Sequence, residues 1–221
     1  MHKLLLVSAT AFEIAPLMTH LGMEYTGEHT LIRKPYKQLE VSVCITGVGM
    51  VNTAYQLGAL HSHSFDLLIN AGVCGAFDRQ IKLGEVLNIV SDRLSELGAE
   101  DGEAFIDFEH MGLGGPAEFV NQRPVSGLEN LKKVSGITVN TVHGNEHSIN
   151  TVLQRVKAQT ESMEGAAFMM ACAAQNSPYA QIRAVSNYVE RRNKNAWNMP
   201  LAISNLNQYL IQLLDQLNTN L

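Results

Sequence analysis

The chain is poor in the residues that mark several protein classes. Its 221 residues include three cysteines, one tryptophan and six prolines, and only 17% of them are charged. Cys44, Cys74 and Cys172 are odd in number, widely spaced and set in apolar sequence. They read as buried reduced thiols rather than a disulfide framework, which suits a reducing, cytoplasmic setting. No C-x-x-C pair offers a zinc site. A formal charge of −5 disfavours nucleic acid or an anionic membrane as a partner. The basic clusters, Lys34 with Lys37 and Arg191 with Arg192 and Lys194, read as solvated loop charge. No apolar stretch approaches the ~20 residues that a membrane-spanning helix needs. The opening "MHKLLLVSATA" has a weak positive start and an A-x-A-like end. Its apolar run, Leu4–Val7, is shorter than the core of a signal peptide, so a buried first strand is the expectation.

No repeat, low-complexity tract or linker interrupts the sequence, and its length suits one domain over residues 1–221. Leu4–Ser8 reads as a strand buried on both faces, followed by a helix over Phe12–Leu21. Leu31–Arg33 and Leu39–Thr46 form a hairpin around "KPYKQ". Val51–His61 is helical, "FDLLINAGVCGAF" is a second buried strand and Glu85–Ser91 a third. Residues 92–124 read as a long irregular segment, a functional or mobile loop. Ile137–Val142 and Ala180–Ser186 are further strands. Glu161–Gln175 is a helix apolar nearly all round, and Ala202–Leu217 is an amphipathic closing helix with Leu206, Leu210, Leu213, Leu214 and Leu217 on one face. Strands alternating with helices predict a single α/β domain whose mixed, mostly parallel central sheet is flanked by helices.

Ligands of such sheets sit beyond the carboxyl ends of the strands, which makes the motifs there the candidates. "TGVGMVN", Thr46–Asn52, lies between a strand and a helix, but Asn52 replaces the third glycine of a dinucleotide fingerprint. A tight turn is the better reading, with backbone amides open to an anion or hydroxyl. Glu13 follows the first strand, where the plain reading is a surface carboxylate favoured by the helix dipole. Glu164 is flanked by Met163, Gly165, Ala166 and Phe168. A carboxylate in such company is buried, and a buried charge needs a partner or a ligand. Asn187 ends a strand, as a turn former or as a functional amide. His143 and His147 are four apart with Gly144 between them and no third ligand evident, so no metal is expected. Ser8, Ser186 and Cys74 lie in no nucleophile motif, so covalent catalysis is not expected either.

Five motifs fall in one order: Glu13 after strand one, "TGVGMVNTA", "INAGVCGAF", "SMEGAAF" and "RAVSN". This set resembles the purine nucleoside phosphorylase and nucleosidase superfamily, from about Lys3 to Leu217. It is most similar to the hydrolase branch, the methylthioadenosine/S-adenosylhomocysteine nucleosidase-like enzymes. "ELGAED" and "RAVSNYVERRNKNAW" resemble the futalosine hydrolases within that branch. The resemblance implies a nucleoside phosphorylase-like fold, a small-molecule nucleoside substrate, no cofactor and no metal. It implies a homodimer or larger homo-oligomer, in which the subunit interface completes the pocket at the 5′ end of the sugar. It also implies that Glu13 is the general base for water, that Glu164 binds the ribose hydroxyls, that Met163 packs on the sugar, and that backbone near Cys74 and Gly75 holds water or ribose. Phosphorylases of the superfamily bring arginines to phosphate near the first two glycine-rich turns. Here only Arg79 lies near, slightly late, so water is the expected nucleophile.

Adenine-specific members end the "RAVSN" strand with "SD", and this chain departs from them there. Opposite a 6-oxopurine an aspartate would set oxygen against oxygen. An amide presents its oxygen to N7–H and its NH₂ to O6 together. Asn187 therefore predicts hypoxanthine or guanine over adenine, and futalosine carries hypoxanthine. Arg33, Arg191 and Arg192 are the candidates for the carboxylate of futalosine's 5′ tail. The alternatives are an adenine-releasing nucleosidase, a phosphorylase, and a silent nucleoside-binding protein. The pair Glu13 and Glu164 argues against the last, since binding a neutral sugar hardly requires two carboxylates.

Overall fold

In the computed structural model, which describes residues 2–25, 27, 31–121 and 123–219, the apolar runs become the middle of one mixed sheet. Strand β1 (His2–Ser8) buries Leu4 to Val7 completely and pairs in parallel with β3 (Leu39–Ile45) and β4 (Leu67–Ala76). A strand with parallel neighbours on both sides meets helices on both faces, which is why its sequence is continuous rather than alternating. Next to β4 runs β11 (Tyr179–Tyr188), in parallel. Beyond it lie antiparallel β5 (Val86–Leu94), then β9 (Lys132–Thr138) and the short β10 (Thr160–Ser162). At the other edge β2 (Leu31–Tyr36) pairs antiparallel with β3. Strand β10 also pairs with β4, Thr160 opposite Ala76, so the sheet curls back on itself. That closure carries residues 161–164 to the carboxyl ends of β4 and β11.

One face is covered by α1 (Ala15–His20) and α5 (Met199–Thr219). Leu206, Leu210, Leu213 and Leu214 of α5 are fully buried there, each worth roughly 1.5–3 kcal/mol relative to exposure. The other face carries α2 (Met50–Ala59) and α4 (Gly165–Ala174). Strand β11 alternates between the two. Ala180, Ile182 and Ala184 join the α5 side, while Gln181 and Arg183 point the other way, in register with Asn70 and Gly72 of β4. A buried polar layer thus underlies the strand ends.

The single α/β domain fold with a mostly parallel sheet is as the sequence predicts, and the differences are local. The helix expected at Phe12 begins at Ala15, because Ala11–Ile14 wind as a 3₁₀ turn. Strand β2 runs on through "KPY", and the hairpin turns at Lys37, in the left-handed region at φ 55°. Residues 92–124 are not irregular. They hold the end of β5, a hairpin of β6 (Gly98–Asp101) with β7 (Ala104–Asp107), a 3₁₀ turn at Phe108–Met111 and β8 (Glu118–Val120) on β5; Gln122 lies outside the described residues. The strand expected at Ile137–Val142 is β9, which ends at Thr138. The helix expected from Glu161 starts four residues later, since residues 160–162 extend as β10. A helix α3 (Glu146–Arg155), capped by the Asn145 side chain accepting from the His147 amide at 2.8 Å, has no counterpart in the prediction.

Candidate active site

Strand ends place Glu13, Cys74, Gly75, Met163, Glu164 and Asn187 around one cavity of about 270 Å³. These are the six residues expected to serve catalysis or to hold the sugar and base. Phe12, Val48 and Trp197 supply apolar wall, and no arginine or lysine lines it among the described residues.

Glu13 is not the surface residue its local pattern suggests, for its side chain turns inward and the residue is buried. One carboxylate oxygen accepts from the Thr10 amide and the Thr10 hydroxyl, both at 3.0 Å, and more weakly from Ser8 at 3.4 Å. The other accepts from the Val73 amide of β4 at 3.0 Å. Donors from two strand ends therefore fix its orientation. Gly72 makes this possible. A Cβ there would lie 2.7 Å from the Glu13 oxygen and overlap an Arg183 nitrogen.

Glu164 stands at the N-terminal boundary of α4 and is equally buried. Its Oε1 accepts from the Gly49 amide at 3.1 Å. The glycine turn after β3 is thus a carboxylate clamp, and Gly47 and Gly49 both take positive φ to form it. Its Oε2 lies 3.5 Å from the Arg183 guanidinium. Burial pushes the Glu164 carboxyl above its ordinary range, the Arg183 charge opposes that, and the nearby Glu13 charge adds to it. Arg183 is fully buried in β11 and also donates to Asn70. It is the counter-ion of Glu164, and it was not singled out in the sequence. The signal was present in "QIRAVS": a lone arginine in a strand buried on both faces must find an acid.

Asn187 is aimed by a bulge. Val185 pairs with Cys74 and Asn187 with Gly75, so Ser186 is the extra residue that turns the amide toward the cavity. Its Nδ2 donates to the Tyr188 carbonyl at 3.0 Å, and the Ser186 hydroxyl lies 2.8 Å from Oδ1. The amide direction is therefore set, and each end keeps one free valence for a ligand. Cys74 is buried, and desolvation pushes its thiol up to about 12, which disfavours the thiolate. Arg192 lines a smaller neighbouring cavity with Asn187 and Trp197, and neither Arg33 nor Arg191 lines the larger one. Arg79 pairs with Glu190 at 2.5 Å and stacks on Tyr188. Among the described residues no cluster of acids, histidines and cysteines could hold a metal ion.

Beneath Glu164 lies a further buried acid, Asp92, that sequence reading did not find. Asp92 accepts from Thr138 and Gln181, both at 2.8 Å, and Thr138 accepts from the Ala166 amide in the first turn of α4. Desolvation raises the Asp92 carboxyl to about 6, against the lowering effect of its hydrogen bonds and of Arg183. A raised carboxyl holds its proton longer in the folded chain, so its effect on stability becomes less favourable as pH rises from about 4 to 6. Asn keeps the bond to Thr138, and Gln181, whose Oε1 has no partner, turns over to accept from the new amide. Between pH 4 and pH 7, the stability difference between Asp92→Asn and wild type should move by about 2 kcal/mol in the variant's favour. Urea unfolding at the two pH values measures it, and an unchanged difference would return Asp92 to an ordinary acidity.

The fold and the cavity define a nucleoside phosphorylase-like protein, with two carboxylates and an amide at the strand ends and an apolar wall. The Phosphorylase superfamily model matches residues 3–215, and the chain belongs to that family. The futalosine hydrolase of Thermus thermophilus is 31% identical over 76% of this chain and 79% of its own length. The 5′-methylthioadenosine/S-adenosylhomocysteine nucleosidase of Colwellia psychrerythraea is 24% identical over 96% and 95%. The native structure of the Helicobacter pylori futalosine hydrolase superposes with a TM-score of 0.80 over 97% of each chain, at 14% identity, a likeness of fold.

Proposed function

We propose that this chain hydrolyses the N-glycosidic bond of futalosine, a 6-oxopurine nucleoside of menaquinone biosynthesis, and releases hypoxanthine. Its relatives are hydrolases of N-glycosyl compounds, both futalosine hydrolases and adenine-releasing nucleosidases. The observation that favours the first substrate is the Asn187 amide, oriented by Tyr188, at the strand end that closes the cavity. Glu13 takes the proton of a water that attacks C1′. Glu164 accepts from the ribose hydroxyls, and its charge favours an oxocarbenium-like transition state. Hydrolysis is favoured over phosphorolysis because no arginine or lysine among the described residues lines the cavity, and Arg183 beneath it is buried and already held by Glu164 and Asn70.

Incubation with futalosine, inosine and methylthioadenosine, with and without phosphate, tests this reading. The expected result is hypoxanthine from futalosine, at a rate that phosphate does not change. Adenine from methylthioadenosine alone, or a phosphate requirement, would overturn it.

The chain is also proposed to work as a homo-oligomer. Phe12, Val51 and Tyr55 are 66%, 74% and 71% exposed, and Phe12 belongs to the cavity wall. Val51 and Tyr55 lie four apart on α2 and so share its face. An apolar patch at a cavity mouth is suited to a second copy of the chain. Tyr55→Asp should move the sedimentation coefficient toward that of a monomer, and a wild-type chain that sediments as a monomer would refute the proposal.

A further inference from the structure

Asn187 leaves one chemical demand unmet. A purine leaves C1′ with the bonding electron pair, and proton transfer to its ring nitrogen makes it a neutral product. An amide holds no proton to give at neutral pH. The question is which group near Asn187 does.

Behind the cavity wall at Asn187 and Gly75 lies a smaller cavity of about 70 Å³, with Val142, His143, Glu161 and Trp197 on its wall. Five residues, Gly75, Val142, Glu161, Asn187 and Trp197, line both spaces, so the smaller cavity opens at the base end of the larger. His143 and Glu161 form a pair there. The Nδ1 of His143 is in hydrogen-bond contact with Glu161 Oε2, and the other oxygen of Glu161 accepts from the His143 amide at 2.9 Å. The Glu161 side chain is 4% exposed, and His143 is its only ion-pair partner among the described residues. The ring stands edge-on to Phe77, and its Nε2 makes no hydrogen bond to any described residue.

We infer that His143, held by Glu161, is the acid that protonates the departing purine. This rests on the proposed nucleosidase reading. With Glu161 on Nδ1 the proton exchanged with substrate is the one on Nε2, the division of labour that an acid–base histidine requires. Glu161 stabilises the ring while it carries both protons. The space holds more than one water, so the proton passes to the base directly or through a single bridging molecule. In the step, the C1′–N9 bond breaks and its electron pair stays on the purine. The proton on His143 Nε2 moves to the purine's N7, and His143 becomes neutral. Water adds to C1′ and loses a proton to Glu13. Glu13 then releases that proton to solvent, and His143 regains one from solvent.

The bland reading is that the pair ties residues 139–145 to β10. The backbone amide of His143 already makes that tie to Glu161, and the imidazole partners the buried carboxylate through Nδ1 alone, which leaves Nε2 without a structural task among the described residues. The other titratable groups around the cavity are Tyr188, Glu190 and Arg192. Tyr188 donates to the Ile81 carbonyl, Glu190 pairs with Arg79, and Arg192 lies over Trp197.

The test compares wild type, His143→Gln and Glu161→Gln on futalosine across pH 5 to 9, with 4-nitrophenyl riboside in parallel. The phenolate of the second substrate departs without a proton. The expected result for His143→Gln is a fall in kcat of roughly 10²–10⁴-fold on futalosine. Its KM should stay within a few-fold, and the loss of rate expected of wild type on the alkaline side should disappear. Glu161→Gln should shift that alkaline limb to lower pH. Rates on the riboside should be unchanged. A futalosine kcat within threefold of wild type, an alkaline limb that persists in His143→Gln, or equal losses on both substrates would each overturn the proposal. If wild type releases no base from any nucleoside, the nucleosidase reading itself fails, which is a separate and recognisable outcome.

Discussion

Replacing Glu13 with Gln should lower kcat by roughly 10²–10⁴-fold, the range for loss of a general base, with KM changed only a few-fold. Gln matches the shape of Glu but takes no proton from water. It also disturbs the frame. Glu13 accepts from Thr10 and Ser8 on one oxygen and from the Val73 amide on the other. A Gln can satisfy the first group with its carbonyl, which then sets its NH₂ against the Val73 N–H. A buried donor left unpaired costs about 1–3 kcal/mol, so a lower Tm should accompany the loss of turnover. Glu13→Asp separates the two effects. It restores a base in a displaced position and should recover part of kcat. Near-normal turnover in the Gln variant would remove Glu13 from the role of base and leave it a structural acid.

The strands were legible where burial on both faces makes the sequence continuous, as in Leu4–Val7 and the "LLINAGVCGA" of β4. The site was legible at Glu164, because a carboxylate between Met163 and Gly165–Phe168 cannot be solvated. Glu13 was harder to read. Its local pattern is that of any acid in a first helical turn, and its burial comes from the Val73 amide, 60 residues away. His143 and Glu161 are 18 residues apart and meet only because β10 closes onto β4 and β9. No local periodicity carries that contact. Arg183 and the β6–β7 hairpin are different cases, since their signals were present. "QIRAVS" holds a charge inside a core strand. "EDGEAF" holds a D-G pair, with Gly102 at φ 63° in the turn. Helix α3 gave little signal, because Ile149 and Val152 are its only buried residues.

Asn187→Asp should move the substrate preference from hypoxanthine toward adenine nucleosides, by about a hundredfold or more in the ratio of kcat/KM values. The amide offers one remaining N–H and one remaining lone pair to the base. A carboxylate loses the N–H that meets O6 and sets an oxygen there, and each unpaired polar contact costs about 1–3 kcal/mol. Two such contacts span a hundredfold with margin. The protein's own geometry strengthens the effect. Nδ2 of Asn187 donates to the Tyr188 carbonyl at 3.0 Å, and a carboxylate oxygen at that point faces a carbonyl oxygen. Such opposition favours the protonated acid. A protonated carboxyl is a donor for N7 and, once ionised, an acceptor for a 6-amino group, which is the pairing that an adenine leaving group requires. Asn187→Ala is the control. It removes both contacts, should lower turnover of both nucleosides, and should leave the adenine preference weaker than in the Asp variant. If Asn187→Asp keeps the wild-type ratio of hypoxanthine to adenine release, Asn187 does not choose the base. The selection would then have to come from the cavity formed by Trp197, Val142 and the His143–Glu161 pair.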